Sequence, residues 1–433
     1  MNQTLKTPSL LRLYFALSLI FFTFSSCNRV AKEPVPPQTD DLTNSVLLEL
    51  NHLTYTIANE HDQFYSFIGV RALTMVHLAI HDAINSIDPQ FESYLFSEKT
   101  SNADPVSAAI SATQTILLTA YPDRADTIKQ VCMQLNTPYS AEQANTGTEL
   151  GAKIARQYIA LRQGDGHQKQ GDYTPMTKPG DYQYTPGFDN WVLYPDFSIA
   201  RPFTMDTVTH FRVPPPPDLG SETYAQAYNE VKEYGMKNST VRSEDQTHFA
   251  HWWAEFGEHS WNRIGRIVAE AESLSFAQTA RMFALLNMNL YDLYLASLES
   301  KYHYDTWRPY TAIREGSTAL NAETEPDPNW EPEMLTPPWP EYPSAHAAVG
   351  AVGAEIVSQI LGTSKVSFTM ESVTALPEAK ERTYNDLDKA AQDCADSRIM
   401  NGYHFRFATE EGLKQGRTLA KYVMSNFLLP LEE

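Results

Sequence analysis

Along this chain of 433 residues, apolar side chains recur three and four positions apart, the repeat of a helix that buries one face, without the alternation of a strand. The spacing predicts helices over 43–59, 65–87, 105–120, 141–162, 221–236, 260–273, 276–308, 344–361, 379–400 and 409–427, and hence an all-α fold. No nucleotide-binding glycine loop, internal repeat or strand pair stands out. The periodicity stops between Gly164 and Leu219, where prolines, tyrosines and glycines take over and the stretch closes on Pro214 to Pro217. A similar proline-rich segment runs from Gly316 to Tyr342. Connections this long are uncommon in a compact domain unless functional or disordered, and the aromatic residues of the first favour ordered packing over the helices.

The first 26 residues read as an address. Lys6 and Arg12 form a basic start, and Leu13 to Phe24 is an apolar run too short for a bilayer span of roughly 20 residues. Phe24-Ser25-Ser26-Cys27 has the form of a lipoprotein cleavage site. The expectation is cleavage before Cys27, lipidation of that cysteine and an exported protein anchored to the cell envelope; a plain secretory signal is the other reading. Residues 27–42, with Pro34, Pro36 and Pro37, read as a tether, which leaves 43–433 as the helical body.

A net charge of −20 argues against nucleic acid or anionic lipid surfaces as partners. With mean hydropathy at −0.39, the signal is the only strongly apolar run. Cys132 and Cys394 are the remaining cysteines, and an exported compartment allows a disulfide between them without requiring one.

In so acidic a chain, clustered cations gain weight. Lys301 and Arg308 are seven residues apart, two turns of the predicted helix 276–308, so both are expected on one face. Two like charges held side by side make sense if a multiply charged anion lies between them; the plainer reading is a solvated basic face. Pro343-Ser344-Ala345-His346 opens the helix predicted to end before Gly362, placing free amides, the Ser344 hydroxyl and His346 at a helix start, the place where oxyanions bind. Ser397-Arg398 is followed across Gly402 by His404, a third cation beside a second histidine. Together these parts make an oxyanion pocket with acid/base capability.

Lys301 with Arg308-Pro309, then Pro343-Ser344-Ala345-His346, then Ser397-Arg398 with His404, resemble in order and spacing the three-part motif of vanadium-dependent haloperoxidases and type 2 phosphatidic acid phosphatases. The likeness is greatest to the soluble bacterial haloperoxidase-like branch, whose wording is echoed in Thr336 to Tyr342 and in Gly402 to Phe407; it extends more weakly from about Thr43 to the C-terminus. The resemblance implies two packed helical bundles, with the proline-rich segments and Trp339 walling a substrate entrance. It implies vanadate, or phosphate in the same place, held by Lys301, Arg308, Ser344, the Ala345 amide and Arg398, with His404 bound to vanadium through a ring nitrogen. His346 is then the acid/base, and hydrogen peroxide and a halide are the substrates. The same residues would serve an acid phosphatase acting through a phosphohistidine on His404, with a phosphate ester as substrate. Three positions depart from the family's pattern: Ala345 replaces the usual glycine, Leu298 stands where active haloperoxidases tend to carry tryptophan, and Ala408 replaces an aspartate that often orients the second histidine. The tautomer of His404 is thereby left to another partner.

Asp82 is expected to orient one of the pocket arginines; the soluble members of the family it resembles carry a comparable aspartate on an early helix. His77, His81 and Asp82 also have the spacing of a metal pair, but no glutamate occupies the metalloprotease position and no third ligand is evident. The histidines and tryptophans of 248–263 read as core or interface. A non-catalytic reading, an oxyanion-binding surface lipoprotein, leaves the two histidines without a task.

Overall fold

The computed structural model describes residues 39, 42–61, 68–135, 137, 139–188 and 190–432. The address, most of the tether and Cys27 lie outside the described residues. Thr39, at the end of the expected tether, is already tied to the body, its amide and hydroxyl donating to Asp88 at 3.2 and 2.5 Å.

The fold is all-α, as the periodicity predicts. The first bundle contains α1 (Ser45–His61), α2 (Ile68–Ile87), α3 (Pro105–Ala120), α4 (Ala125–Gln134) and α5 (Ala141–Leu161). Asp104 caps α3 by accepting the Val106 and Ser107 amides, and a reciprocal Ser140–Gln143 box caps α5. After the long loop come α6 (Glu222–Tyr234), α7 (Glu244–Trp252) and α8 (Gly257–Ala271). Helix α9 (Phe276–Tyr304) is buried nearly all round, since it packs on α2 from one side and α11 (Ala345–Leu361) from the other. Between them lies the short α10 (Pro309–Glu315), and α12 (Leu387–Met400) and α13 (Arg406–Asn426) pack on α11 to complete the second group. The contact of α11 with α13 is as close as two backbones allow. A Cβ on Gly412 would fall 2.3 Å from the Ser344 carbonyl oxygen, and one on Gly416 2.2 Å from that of Ala348.

Two predicted elements are corrected. Helix α9 stops at Tyr304, where Asp305 adopts the left-handed conformation at φ 49°, and Arg308 is the N-cap of α10 rather than a residue of α9. Pro309 at the first helical position explains this, since it lacks the amide that a continuous helix would need and fits a helix start. The segment predicted as helix 379–400 begins instead as β2 (Glu381–Tyr384), paired antiparallel with β1 (Phe368–Glu371). Phe368 and Met370 alternate inward and Phe368 stacks on Tyr384, a strand signal too short for a periodicity window. Helices α4 and α7 went unpredicted: α4 buries only Ile128 and Cys132, and α7 is a nine-residue helix. Cys132 and Cys394 are both buried free thiols.

Candidate functional site

Although Lys301 and Arg308 do not share a helix, both reach the loop before α11. The Lys301 ammonium, wholly buried, donates to the carbonyls of Pro340, Glu341 and Pro343 at 2.9, 2.8 and 2.5 Å, so all three of its protons are committed to that loop. Burial and the neighbouring Arg308 push its pKa well below that of a free lysine. Arg308 donates from Nε to the Trp339 carbonyl at 2.9 Å and from Nη1 to the Tyr403 carbonyl at 2.9 Å, with His404 Nε2 3.1 Å from the same nitrogen. Its Nη2 is buried with no partner.

Ser344 is the N-cap of α11, accepting the Ala347 amide, and its own amide donates to the Ala408 carbonyl at 2.9 Å. The Ala348 amide binds the Ser344 carbonyl, which leaves the Ala345 and His346 amides of the first turn without a carbonyl inside the helix. Ala345 keeps the family's amide donor while adding a methyl group to the cavity wall.

Arg398, in the last turn of α12, is 6% exposed, yet its Nε and Nη1 are buried and unpartnered. Its guanidinium lies 4.6 Å from the centre of the Tyr403 ring. Past α12, Gly402 takes φ 79° and turns the chain so that His404 faces back into the site.

Each histidine has a fixed orientation. The Nε2 of His346 lies 2.7 Å from the Trp253 carbonyl, so Nε2 carries the proton and Nδ1 the lone pair. The aromatic segment 248–263, read from sequence only as packing, thus also aims this ring. His404 Nδ1 lies 2.9 Å from Glu341 Oε1. Burial holds both histidines far below the ordinary imidazole pKa; Arg398 adds to the effect on His346, and Arg308, Lys301 and Arg398 to that on His404. Both rings are therefore neutral and available as acceptors. Burial drives the Glu341 carboxyl up to about 7 against the opposing pull of Arg308 and Lys301.

A cavity of about 300 Å³ opens onto this group, lined at its inner end by Ala345, His346, Arg398 and His404. Its outer wall comes from Phe188 and Leu193 of the first long loop and from Leu335, Pro337, Pro338 and Trp339 of the second. Leu298 is buried in the main core and is not among the lining residues.

Asp82 is a correction. Its carboxylate accepts the amides of Tyr94, Leu95 and Phe96 and the Tyr158 hydroxyl, which closes the turn after α2 and orients no pocket arginine. His77 meets Asn51 and His81 meets the Glu92 carbonyl, and no metal-holding group of His, Cys, Asp and Glu occurs among the described residues. Glu341, by contrast, was not singled out from sequence. Its only signal was the need for a new partner to His404 once Ala408 had replaced an acid.

Lys301, Arg308 and Arg398 converge on this pocket with Glu341, while the other carboxylate of the cavity lining, Glu255, is paired with Arg263, and three guanidinium nitrogens of the pocket lack acceptors. Buried donors without partners are rare and costly, and a tetrahedral oxyanion is the ligand whose oxygens match this donor set. Vanadate and phosphate both fit.

The arrangement defines a helical protein with a buried, donor-rich pocket between helices. The VCPO second helical-bundle domain matches residues 281–431. The vanadium chloroperoxidase of Curvularia inaequalis is 25% identical over 394 residues, 72% of this chain and 64% of the relative, so this chain spans a little under two thirds of that protein. The crystal structure of the first bacterial vanadium-dependent iodoperoxidase superposes with a TM-score of 0.77 at 22% identity, covering 90% of this chain and 98% of that one. An apo bacterial vanadium-dependent chloroperoxidase superposes at 0.65 with 14% identity, over 83% and 94% of the two chains. Residues 281–431 thus match the second helical-bundle domain of that family, and the chain shares its fold with the bacterial vanadium-dependent haloperoxidases.

Proposed function

We propose that this protein is a vanadate-dependent haloperoxidase that oxidises halide with hydrogen peroxide to a hypohalous acid equivalent. The observation that carries the proposal is the set of orphaned buried donors, Arg308 Nη2 and Arg398 Nε and Nη1, with His404 Nε2 3.1 Å from the neighbouring Nη1 of Arg308. Those donors, with the first-turn amides of α11, would hold the oxyanion's oxygens, and His404 Nε2 would bind its centre in place of its contact with Arg308 Nη1. When bound, vanadate supplies the Lewis acidity that activates hydrogen peroxide towards halide.

The chain's own residues then do three things. Arg308 and Arg398 neutralise charge on the oxyanion without moving, because backbone carbonyls and the Tyr403 ring already fix them. His346, neutral and anchored through Nε2, presents Nδ1 to accept a proton and return it. Lys301 holds the loop that starts α11 and adds positive charge from behind it; the direct donation to the anion expected from sequence would require one of its carbonyl contacts to be exchanged. The apolar outer wall formed by Phe188, Leu335 and Trp339 limits water at the site.

The test is activation of metal-free protein by vanadate. Halide oxidation should rise to saturation as vanadate is added and should vanish in His404→Ala. Full activity in that variant would remove His404 from the site and refute the proposal.

A further inference from the structure

The family's usual device for orienting the second histidine is missing, since position 408 is a buried alanine whose polar groups are backbone alone, the carbonyl accepting the Ser344 amide and the amide donating to the Phe405 carbonyl. The side chain beside His404 Nδ1 comes instead from 63 residues earlier in the chain, on the loop that begins the other half of the site. Resting on the oxyanion reading of this site, we propose that Glu341 is the positioning residue that holds His404 in its Nδ1–H form, with the Nε2 lone pair turned to the anion.

Two contacts agree on that tautomer. Glu341 Oε1, which accepts the Phe405 amide at 3.0 Å, lies 2.9 Å from Nδ1 and is placed to accept its proton as well. On the other edge, Arg308 Nη1 lies 3.1 Å from Nε2, and a guanidinium can only donate, so Nε2 must be bare. Without an acceptor at Nδ1, a neutral histidine tends to carry its proton on Nε2, which would point an N–H at Arg308 and at the ligand's centre.

Glu341 is itself held rigidly. Its amide donates to the Thr306 carbonyl at 2.9 Å, its carbonyl accepts from Lys301, and the following Tyr342 amide donates to Thr306 Oγ1 at 3.1 Å. The first motif therefore acts on the third through this loop: Lys301 fixes the backbone of Glu341, and the Glu341 side chain fixes His404. The side chain is wholly buried and its Oε2 has no partner, so both of its hydrogen bonds, to His404 and to the Phe405 amide, are made through Oε1. A glutamine could keep that acceptor, whereas a methionine of similar length could not.

The experiment is nitrogen-15 NMR of the histidine side chains in metal-free protein, assigned with His404→Gln, together with the vanadate dissociation constant, for the parent, Glu341→Gln and Glu341→Met. The parent and Glu341→Gln should show a protonated Nδ1 and a bare Nε2 on His404. Glu341→Met should lose that pattern and bind vanadate about 10- to 100-fold more weakly, the usual cost of removing a partner of a metal-binding histidine. A parent His404 protonated on Nε2 would overturn the proposal even if vanadate binds. So would a folded Glu341→Met that keeps the parental tautomer and affinity. Should Glu341→Met fail to fold, the parent tautomer and its retention in Glu341→Gln still decide the matter. Failure of the parent to bind vanadate would instead strike the function reading, because the tautomer is measured without any anion.

Discussion

Arg398→Met separates a ligand-binding arginine from a structural one, because the two roles move stability in opposite directions. In the metal-free protein Nε and Nη1 of Arg398 are buried without partners, and each such donor costs about 1–3 kcal/mol of stability. Removing the guanidinium relieves that cost and forfeits its contact with the Tyr403 ring, worth about 0.5–2 kcal/mol. The metal-free variant should therefore melt at or above the parent temperature. With an oxyanion present the balance reverses, since two charge-assisted hydrogen bonds at about 1.5–3 kcal/mol each are lost. At 1.4 kcal/mol per decade that is about two to four decades of affinity. Calorimetric titration with vanadate and with phosphate, and melting curves with and without each anion, give both numbers. Unchanged anion affinity would mean that the pocket lies elsewhere, and a strongly destabilised metal-free variant would mean that the guanidinium serves the fold.

Other consequences follow from the packing, the charges and the N-terminal residues. Gly412→Ala places a methyl group 2.3 Å from the Ser344 carbonyl and should force α13 off α11, costing about 1–3 kcal/mol and weakening anion binding; parental melting temperature and affinity would contradict the close packing. Asp165 carries burial that would raise its pKa, but hydrogen bonds from His167 and Arg71 more than reverse it, holding the carboxyl well below 3.8. A carboxyl with a depressed folded-state pKa stabilises fully above its unfolded value and loses that contribution as pH falls through the folded one. The melting-temperature gap between the parent and Asp165→Asn should thus be constant from pH 7 to about 5, begin to shrink below about 4 and keep shrinking as pH falls towards the depressed folded-state value; a gap still at its neutral-pH size at about pH 2 would rule out the ion-pair account. Cys27→Ala should release the protein from membranes on fractionation, and continued membrane association would exclude the lipid anchor.

Much of the helical scaffold was readable from periodicity because its helices bury one face continuously. Helix α3 begins and ends at the predicted residues, with Pro105 at its start and an apolar run to Ala120. What periodicity misplaced depends on local chemistry. The break at Asp305 rests on one left-handed residue followed by a proline start, and β2 rests on a four-residue alternation whose nearest pairing is Glu381 with Glu371 of β1. The site residues were legible as motifs, but their roles were not, because roles depend on partners distant in sequence. Lys301 spends its protons on carbonyls about 40 residues later, and Asp82, which looked like an anchor for arginine, spends its oxygens on the next turn. Glu341 was invisible because a glutamate between prolines has no periodicity, and only the fold sets it beside His404.

The central claim is tested most directly by presenting metal-free protein with hydrogen peroxide, a phenolic dye and iodide, bromide or chloride, before and after adding vanadate, alongside hydrolysis of a chromogenic phosphomonoester. The expected result is halogenation that appears only with vanadate and saturates with it. Phosphomonoester hydrolysis that vanadate inhibits, with no halogenation by any of the three halides, would contradict it and assign the same residues to a phosphatase.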